Sequence, residues 1–475
     1  MERSSDNPEL GRVETSHIDV IDPADRHGRA RDLFPVWFSG NLSVGNAIFG
    51  ALAIAVGNSF WWAVLAVLLG NLVGGTFMAL HSVQGARLGV PQLIQSRGQF
   101  GFFGALLPVV LAAFLYGGFF VVTAVLAGQS LAAAVPDVSV NTALVLLSLL
   151  SLAIALAGYR IIHVAARWAL WPLAVAVVIV TIASLWRGGI DVSTGSFQVG
   201  PFFTAVGLMA TFLLTYAPYV SDYSRYLPED TSASACFGWT FSGVFISATW
   251  CNLLGVVLAV QFSGTDIFIA TREVIGWGAL ATSVLVVTAV AIAGNNALNL
   301  YGGMLNLITA ISSVTTVRPS FALRLVFLLP TFAVGLWLGL QASADFYADL
   351  TNFLSFLMLG FVPWGAINLL DFYLVRHGSY DVAGFFDRRG SYFHDPASWT
   401  YGGVNLRACI AYGVGVLVSL PFVSNGWYVG AVAERLQGAD LSWVPGLIVT
   451  GIVYLGLTRA SSTRTQTAGP AVLVD

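Results

Sequence analysis

Four stretches of this 475-residue chain hold residue types able to bind a small polar solute. In GNNALNLYGG, Asn295 and Asn299 stand four apart and share a helix face, with Asn296 between them and Asn306 a short way on. An amide offers two donors and a carbonyl acceptor without charge, which suits a neutral ligand carrying both kinds of group. In FLYGGFFVVTAVL, Tyr116, Phe119, Phe120 and Thr123 lie at helical spacings around Gly117 and Gly118, which let a backbone or a flat ligand come close. In FLLTYAPYVSDYSRYLPED, Thr215, Tyr216 and Tyr219 surround Pro218. The fourth stretch, PVWFSGNLSVGNAIFGALAIAVG, is interrupted by Gly40, Gly45 and Gly50, with Asn41, Ser43 and Asn46 between them.

This is the chemistry of holding, not of catalysis. The chain has no HExxH, no GxSxG and no paired-aspartate run for a metal diphosphate. Its basic residues are all arginine, so neither a Walker A lysine nor a Schiff-base lysine is available. Cys236, Cys251 and Cys409 are too few and too scattered for a disulfide framework or a metal site. No enzyme activity, cofactor or metal is expected. Structural readings compete at each stretch: amides also bond helices together, at under about 2 kcal/mol each, small residues let helices approach closely, and aromatic stripes more often pack than bind.

The setting is a membrane. Hydrophobic residues make up 57% of the chain and charged ones only 9%, against about 25% charged in a soluble domain. Twelve apolar spans follow one another at approximately 34–57, 60–82, 104–134, 142–158, 166–186, 202–221, 238–262, 278–301, 321–341, 347–370, 407–424 and 441–458. The expected fold is an all-α polytopic membrane protein with 12 transmembrane helices. Arginines fall on alternate loops: Arg26, Arg29 and Arg31, then Arg87 and Arg97, Arg160 and Arg167, Arg225, Arg318 and Arg324, Arg376, Arg388, Arg389 and Arg407, and finally Arg459 and Arg464. The opposite loops hold only Arg187, Arg272 and Arg435, which places both termini in the cytoplasm. With no signal-like leader in the polar first 32 residues, the cytoplasmic membrane is the expected location. Between spans, 83–103 reads as an interfacial helix and 371–406 as a polar, aromatic loop with room for a short surface helix.

Glycines and asparagines inside the first span predict a helix broken at a midplane site. Pro218 inside the sixth span removes a backbone bond and disfavours helix at Ala217. Interrupted helices five spans apart point to a transporter built from inverted repeats. The division follows: a tail at 1–32, a first repeat at 33–187, a second at 200–370, a cytoplasmic loop at 371–406, two further spans within 407–458 and a tail at 459–475.

VWFSGNLSVGN, GARLGVPQLIQSRGQFG, APYVSDYSRYLPED and GNNALNLYGG together resemble the nucleobase–cation symporter family 1, within it the purine–cytosine permease branch, over about residues 33–458. The resemblance implies a LeuT-like fold, a 5+5 inverted repeat plus two peripheral helices, and cation-coupled uptake of nucleobases or of heterocycles such as hydantoin or allantoin. It implies that Phe119, where the family usually has tryptophan, and Tyr216 hold a flat ring between them. An alternative alignment puts Phe212 in the place of Tyr216. It further implies that Thr123, Asn295 and Asn299 read the ring's edge with polar groups of the broken first helix, of which Ser43 and Asn46 are the candidates, beside Tyr116. Stacking on aromatic faces is worth about 1–3 kcal/mol per base, and smaller Phe119 leaves the choice of ring open.

Sodium-dependent members carry hydroxyls just before the eighth-helix amides, where this chain has Ile292 and Ala293. A hard cation needs oxygen ligands, so a proton is the expected coupling ion, with sodium the alternative. Asp349 is the candidate carrier; Glu273 and Asp222 are the other acids near spans, Asp222 reading as a cytoplasmic cap or ion pair. The sequence thus reads as a symporter importing a purine or cytosine-like base by alternating access, with a lipid bilayer around it and no nucleic acid as partner. The alternative is a symporter of another small solute, a hydantoin- or allantoin-type heterocycle or an amino acid.

Overall fold

In the computed structural model the described residues are 19–193, 195–315, 321–342 and 345–467. Most of the expected N-terminal tail, the final part of the C-terminal tail and Arg318 lie outside them. The helices run in the order α1 Leu33–Asn41, α2 Ala47–Ala55, α3 Phe60–Leu88, α4 Gln92–Phe100, α5 Leu106–Ala134, α6 Val140–Ala157, α7 Tyr159–Arg187, α8 Val199–Leu214 and α9 Ala217–Ser224. They continue with α10 Ala233–Gln261, α11 Ile267–Ile275, α12 Ala279–Ser312, α13 Phe321–Ala342, α14 Phe346–Leu370, α15 Leu406–Ser419, α16 Ala431–Arg435 and α17 Trp443–Thr467.

Nine helices among the described residues are long and apolar enough to cross a membrane, and α1 with α2 makes one broken span more. The apolar segments Leu406–Phe422 and Trp443–Arg459 are shorter. Long helix α12 packs along α5, α6 and α7, while α3 lies against α8, α9 and α10. Both halves of the broken span rest on α10, and α15 pairs with α17 beside α14. Val110, Leu146, Val175, Ile182, Val326 and Ile452 point outward and exposed, an apolar exterior suited to lipid.

The break between α1 and α2 turns the chain by 72°. Polar residues replace the helical bonds lost there. The Asn41 carbonyl accepts from the Ser43 N–H at 3.0 Å and from Asn46 Nδ2 at 2.8 Å, and Ser43 Oγ accepts from the Gly45 N–H at 3.2 Å. Gly50 does something else. A Cβ there would lie 1.7 Å from the Asn252 carbonyl oxygen, and one on Gly255 opposite would lie 1.8 Å from that of Ala47. Here α2 and α10 cross in backbone contact, so this glycine belongs to the close-packing reading and the break belongs to the residues before it.

The sixth span is interrupted far less. Thr215 and Tyr216 keep right-handed helical angles between α8 and α9, and Val199–Ser224 runs as one span. Pro218 falls within the first two positions of α9, where the missing N–H costs a helix little.

Three connections differ from the sequence reading. The expected interfacial helix exists as α4, but Gln92, Gln95, Arg97, Gln99 and Phe100 on it are buried. Its cover is the segment 371–406, which forms single helical turns and a two-stranded hairpin pairing Thr400 with Asn405 and Tyr401 with Val404, not a surface helix. The Gly403 carbonyl accepts from the Phe103 and Gly104 N–H groups at 2.7 and 2.9 Å, fixing the hairpin to the start of α5. Between the seventh and eighth spans lies α11, capped by Asp266 Oδ1, which accepts from the Phe268 and Ile269 N–H groups. The expected C-terminal tail begins as helix, since α17 runs on to Thr467.

Candidate functional site

A cavity of about 820 Å³ opens where the α1–α2 break, α5, α8–α9 and α12 meet. Ser43, Asn46, Tyr116, Phe119, Thr123, Phe212, Tyr216, Asn295 and Asn299 all line it. The structure therefore gathers nine sequence-predicted residues from four separate stretches into one space. Asp349 is not among them: it sits exposed in the first turn of α14.

The eighth-span amides divide their work. Asn296 is fully buried and donates through Nδ2 to the Phe120 carbonyl at 3.1 Å. Its Oδ1 accepts from Asn299 Nδ2 at 3.0 Å. Asn299 also donates to Thr123 Oγ1 at 3.4 Å, while that hydroxyl donates to the Phe119 carbonyl at 2.6 Å. Asn296 is thus a bond between α12 and α5, and it orients Asn299. Asn295, one residue away on the cavity side, has no hydrogen-bond partner among the described residues. Its whole amide is open to a solute.

The aromatic residues divide likewise. Phe212 is buried and stacks on Phe49 with centroids 3.8 Å apart and planes 22° apart. One of its faces is therefore committed. Tyr216 meets Phe212, Tyr219 and Trp37 edge-on at 5.8, 5.8 and 5.9 Å. Its hydroxyl donates to Asn41 Oδ1 at 2.9 Å. On α5, Phe119 meets Phe353 of α14 edge-on at 5.3 Å, and a Cβ on Gly118 would run into that same Phe353 ring. The room beside Gly118 is taken by a side chain of the protein itself.

Ser43 and Asn46 bear on the cavity while supporting the helix break through the bonds given above. Sequence reasoning placed Asn41 in the break but gave it no tie to Tyr216, and it did not single out Phe49, which backs Phe212; both stand in the Gly/Asn-rich first span. Tyr219, Asp222, Tyr223, Arg225 and Asn306 line the cavity as well, Tyr219 against Tyr116 and Tyr216. Asp222 Oδ1 accepts from the Gln92 N–H at 3.0 Å. It caps α4, and among the described residues no ion pair joins it to Arg225. Apart from these two, every polar lining residue is uncharged.

What this geometry offers is a site for an uncharged, flat, polar solute in a broken-helix membrane bundle. Residues 20–446 match the family model described as permease for cytosine/purines, uracil, thiamine, allantoin. The chain belongs to this permease family. The permease is therefore a transporter and not an enzyme. It is 34% identical over 453 residues to the putative purine-cytosine permease YxlA of Bacillus subtilis (strain 168), covering 94% of this chain and 96% of that one. To the purine-cytosine permease fcyB of Emericella nidulans it is 26% identical, over 89% and 83% of the two chains. Its fold is similar to the inward-facing conformation of Mhp1, with a TM-score of 0.74 at 20% identity over 98% and 96% of the chains. A closed conformation of Mhp1, a nucleobase-cation-symport-1 family transporter with bromovinylhydantoin bound, gives 0.71 at 21% identity over 95% and 96%. The permease is thus an all-helical, multi-span membrane protein with the Mhp1-like LeuT fold.

Proposed function

We propose that the permease imports a nucleobase, a purine or a cytosine-like ring, by proton symport through alternating access. The observation that carries this reading is the open amide of Asn295 in the cavity that Phe119 and Tyr216 also line. The ring stacks between Phe119 and Tyr216, Asn295 reads its donor–acceptor edge, and the Asn299 carbonyl oxygen adds an acceptor. Tyr216 suits the role better than Phe212, one of whose faces is covered by Phe49. Ser43, Asn46, Thr123 and Tyr116 complete the wall.

The proton is favoured by what surrounds the helix break. Ile292 Cδ1 is 2.8 Å from the position a Cβ on Gly45 would take, so apolar carbon fills that flank. The neighbouring Ala293 carbonyl accepts from Ser151 Oγ at 2.8 Å. A hard cation requires several oxygen ligands, and these two positions supply no side-chain oxygen. Two inverted repeats, 33–187 and 200–370, then rock about the bound base, with the peripheral helices of 407–458 giving twelve spans and both termini on the cytoplasmic side.

The deciding experiment has two steps. Purified protein is first screened by thermal shift against purines, pyrimidines, hydantoins, allantoin and neutral amino acids, because a ligand at 100 times its dissociation constant adds about 2.7 kcal/mol of stability. Uptake of the stabilising compound is then measured with sodium replaced and with a protonophore present. Stabilisation by a base, with uptake that ignores sodium and collapses with the protonophore, is the expected result. A response to amino acids alone, or strict sodium dependence, overturns the corresponding half of the reading.

A further inference from the structure

We infer that Asp222 is the carboxylate through which a proton acts on this permease, and that it acts by tightening or loosening the hold of α9 on α4. The inference deepens the proton-symport reading and rests on it. Asp222 is the one carboxylate lining the cavity, and Pro91, Leu93 and Ile94 at the start of α4 line the same space. Its Oδ1 accepts from the N–H of Gln92, the first residue of α4. That N–H is one of the donors a helix start leaves without an internal partner, and α4 has no cap from its own N-terminal side chain. The charged carboxylate thus caps α4 from another helix. A bond to an ionised acceptor is roughly twice as strong as a neutral one, and the helix N-terminus adds its own preference for negative charge. Binding one proton forms an O–H bond on Asp222, breaks no covalent bond, and removes both advantages together.

The loosened element is wired to the rest of the molecule. Gln92 Nε2 donates to Gln84 Oε1 at 2.9 Å, and Gln92 Oε1 accepts from Ser221 Oγ on α9. Gln84 donates to Asn368 on α14 at 2.7 Å, and Asn368 donates to Gln99 at the other end of α4 at 3.3 Å. Gln99 reaches the Tyr380 hydroxyl at 2.9 Å, and Tyr380 donates to Asp371 at 2.5 Å. Gln84, Gln92, Gln99, Asn368 and Asp371 are all buried. A change at Asp222 is therefore felt by α3, α4 and α14 as one hydrogen-bonded unit.

Among the described residues no second carboxylate lines the cavity with Asp222. On its own helix and just beyond stand Tyr219, Tyr223 and Arg225, whose guanidinium donates to the Asp19 carbonyl and to the Tyr226 hydroxyl. From α5 comes Tyr116, stacked on Tyr219 at 5.7 Å. On α3, His81 is stacked on Trp364 and bonded to the Phe77 carbonyl, and Arg87 lies against Gly378. Arg26 is held by the Ile21 and Ala86 carbonyls, and on α4 Arg97 is held by Phe385 and Ser313.

The test uses full-length protein in liposomes, with wild type, Asp222→Asn, Asp222→Glu and Asp349→Asn compared on a base that stabilises the wild type. An inward gradient of one pH unit drives at most about tenfold accumulation with one proton per base. Wild type, Asp222→Glu and Asp349→Asn are expected to accumulate base under that gradient. Asp222→Asn is expected to bind base in the thermal-shift assay yet only equilibrate it, with uptake that no longer varies with pH. Accumulation by Asp222→Asn with the pH profile of wild type overturns the role of Asp222 while leaving proton symport standing. Accumulation by wild type on a sodium gradient alone overturns proton symport and the role of Asp222 together. Should Asp222→Asn fail to bind base, Asp222→Glu decides: a pH profile shifted from wild type supports the inference, and an unchanged one overturns it.

Discussion

The hydroxyl of Tyr216 donates to Asn41 Oδ1 across 2.9 Å, joining the last residue of α1 to the residue that opens α9. Asn41 is itself tied to the Trp37 carbonyl through Nδ2 at 3.1 Å. One side chain thus presents a ring to the cavity and fastens the two interrupted spans to each other. Tyr216→Phe keeps the ring and removes the fastening. It is expected to lower stability by about 1 kcal/mol and to leave base affinity within a fewfold of wild type. Tyr216→Ala also removes the stacking face, at about 1–3 kcal/mol of binding or roughly five- to 150-fold in affinity. Melting curves with and without base separate the two losses.

Neighbouring asparagines on α12 are expected to fail in opposite ways. Asn295→Ala removes an amide with no protein partner, so the unliganded protein should melt as wild type does while base binding is lost or greatly weakened. Asn296→Ala removes the bond from α12 to the Phe120 carbonyl, which keeps Thr123 Oγ1 at 3.4 Å, and frees Asn299 to reorient, at about 0.5–1.5 kcal/mol of stability. Unchanged binding by Asn295→Ala removes that residue from the site.

Phe119 sits edge-on against Phe353, so a larger ring at this position extends into the cavity. Phe119→Trp is expected to shift preference from two-ring to one-ring bases, read as the ratio of their thermal shifts.

Ten of the twelve expected spans, the broken one included, are long and apolar enough among the described residues, legible because lipid leaves a helix no polar option. The first break was legible in the clustering of Asn41, Ser43 and Asn46 with glycines in an apolar run, although the same residues also read as helix packing. The depth of the second break was not. Proline reads the same in sequence whether it kinks a helix or starts one, and Pro218 starts α9. Nor could spacing separate Asn295 from Asn296, because which of two adjacent residues meets the cavity depends on how α12 is rotated against α5; only the family resemblance set Asn295 apart. Helix α11 was missed although TDIFIATREV carries its Asp266 cap in plain view. The burial of α4 came from its tertiary cover, which no local pattern records.

That cover is held by Asp371. Its Oδ2 accepts from Tyr380 and pairs with Arg376 Nε at 3.1 Å, and its Oδ1 accepts from Tyr454 of α17 at 2.6 Å. The carboxylate is buried while Arg376 is partly exposed, so removing the acid takes the acceptor from two tyrosine hydroxyls and leaves the guanidinium the Gly98 carbonyl at 3.2 Å. Breaking a buried pair from one side costs about 3–5 kcal/mol, and partial exposure of Arg376 sets the expectation for Asp371→Ala at the lower end. Tyr454→Phe removes one donor to the carboxylate and should cost about 1.5–3 kcal/mol. The chain has no lysine, so trypsin can cut 371–406 only after Arg376, Arg388 or Arg389. Asp371→Ala is expected to be nicked in this segment much faster than wild type, with Tyr454→Phe in between. Equal nicking rates in all three proteins would show that the segment is held by the hairpin contact to Phe103 and Gly104 and not by Asp371.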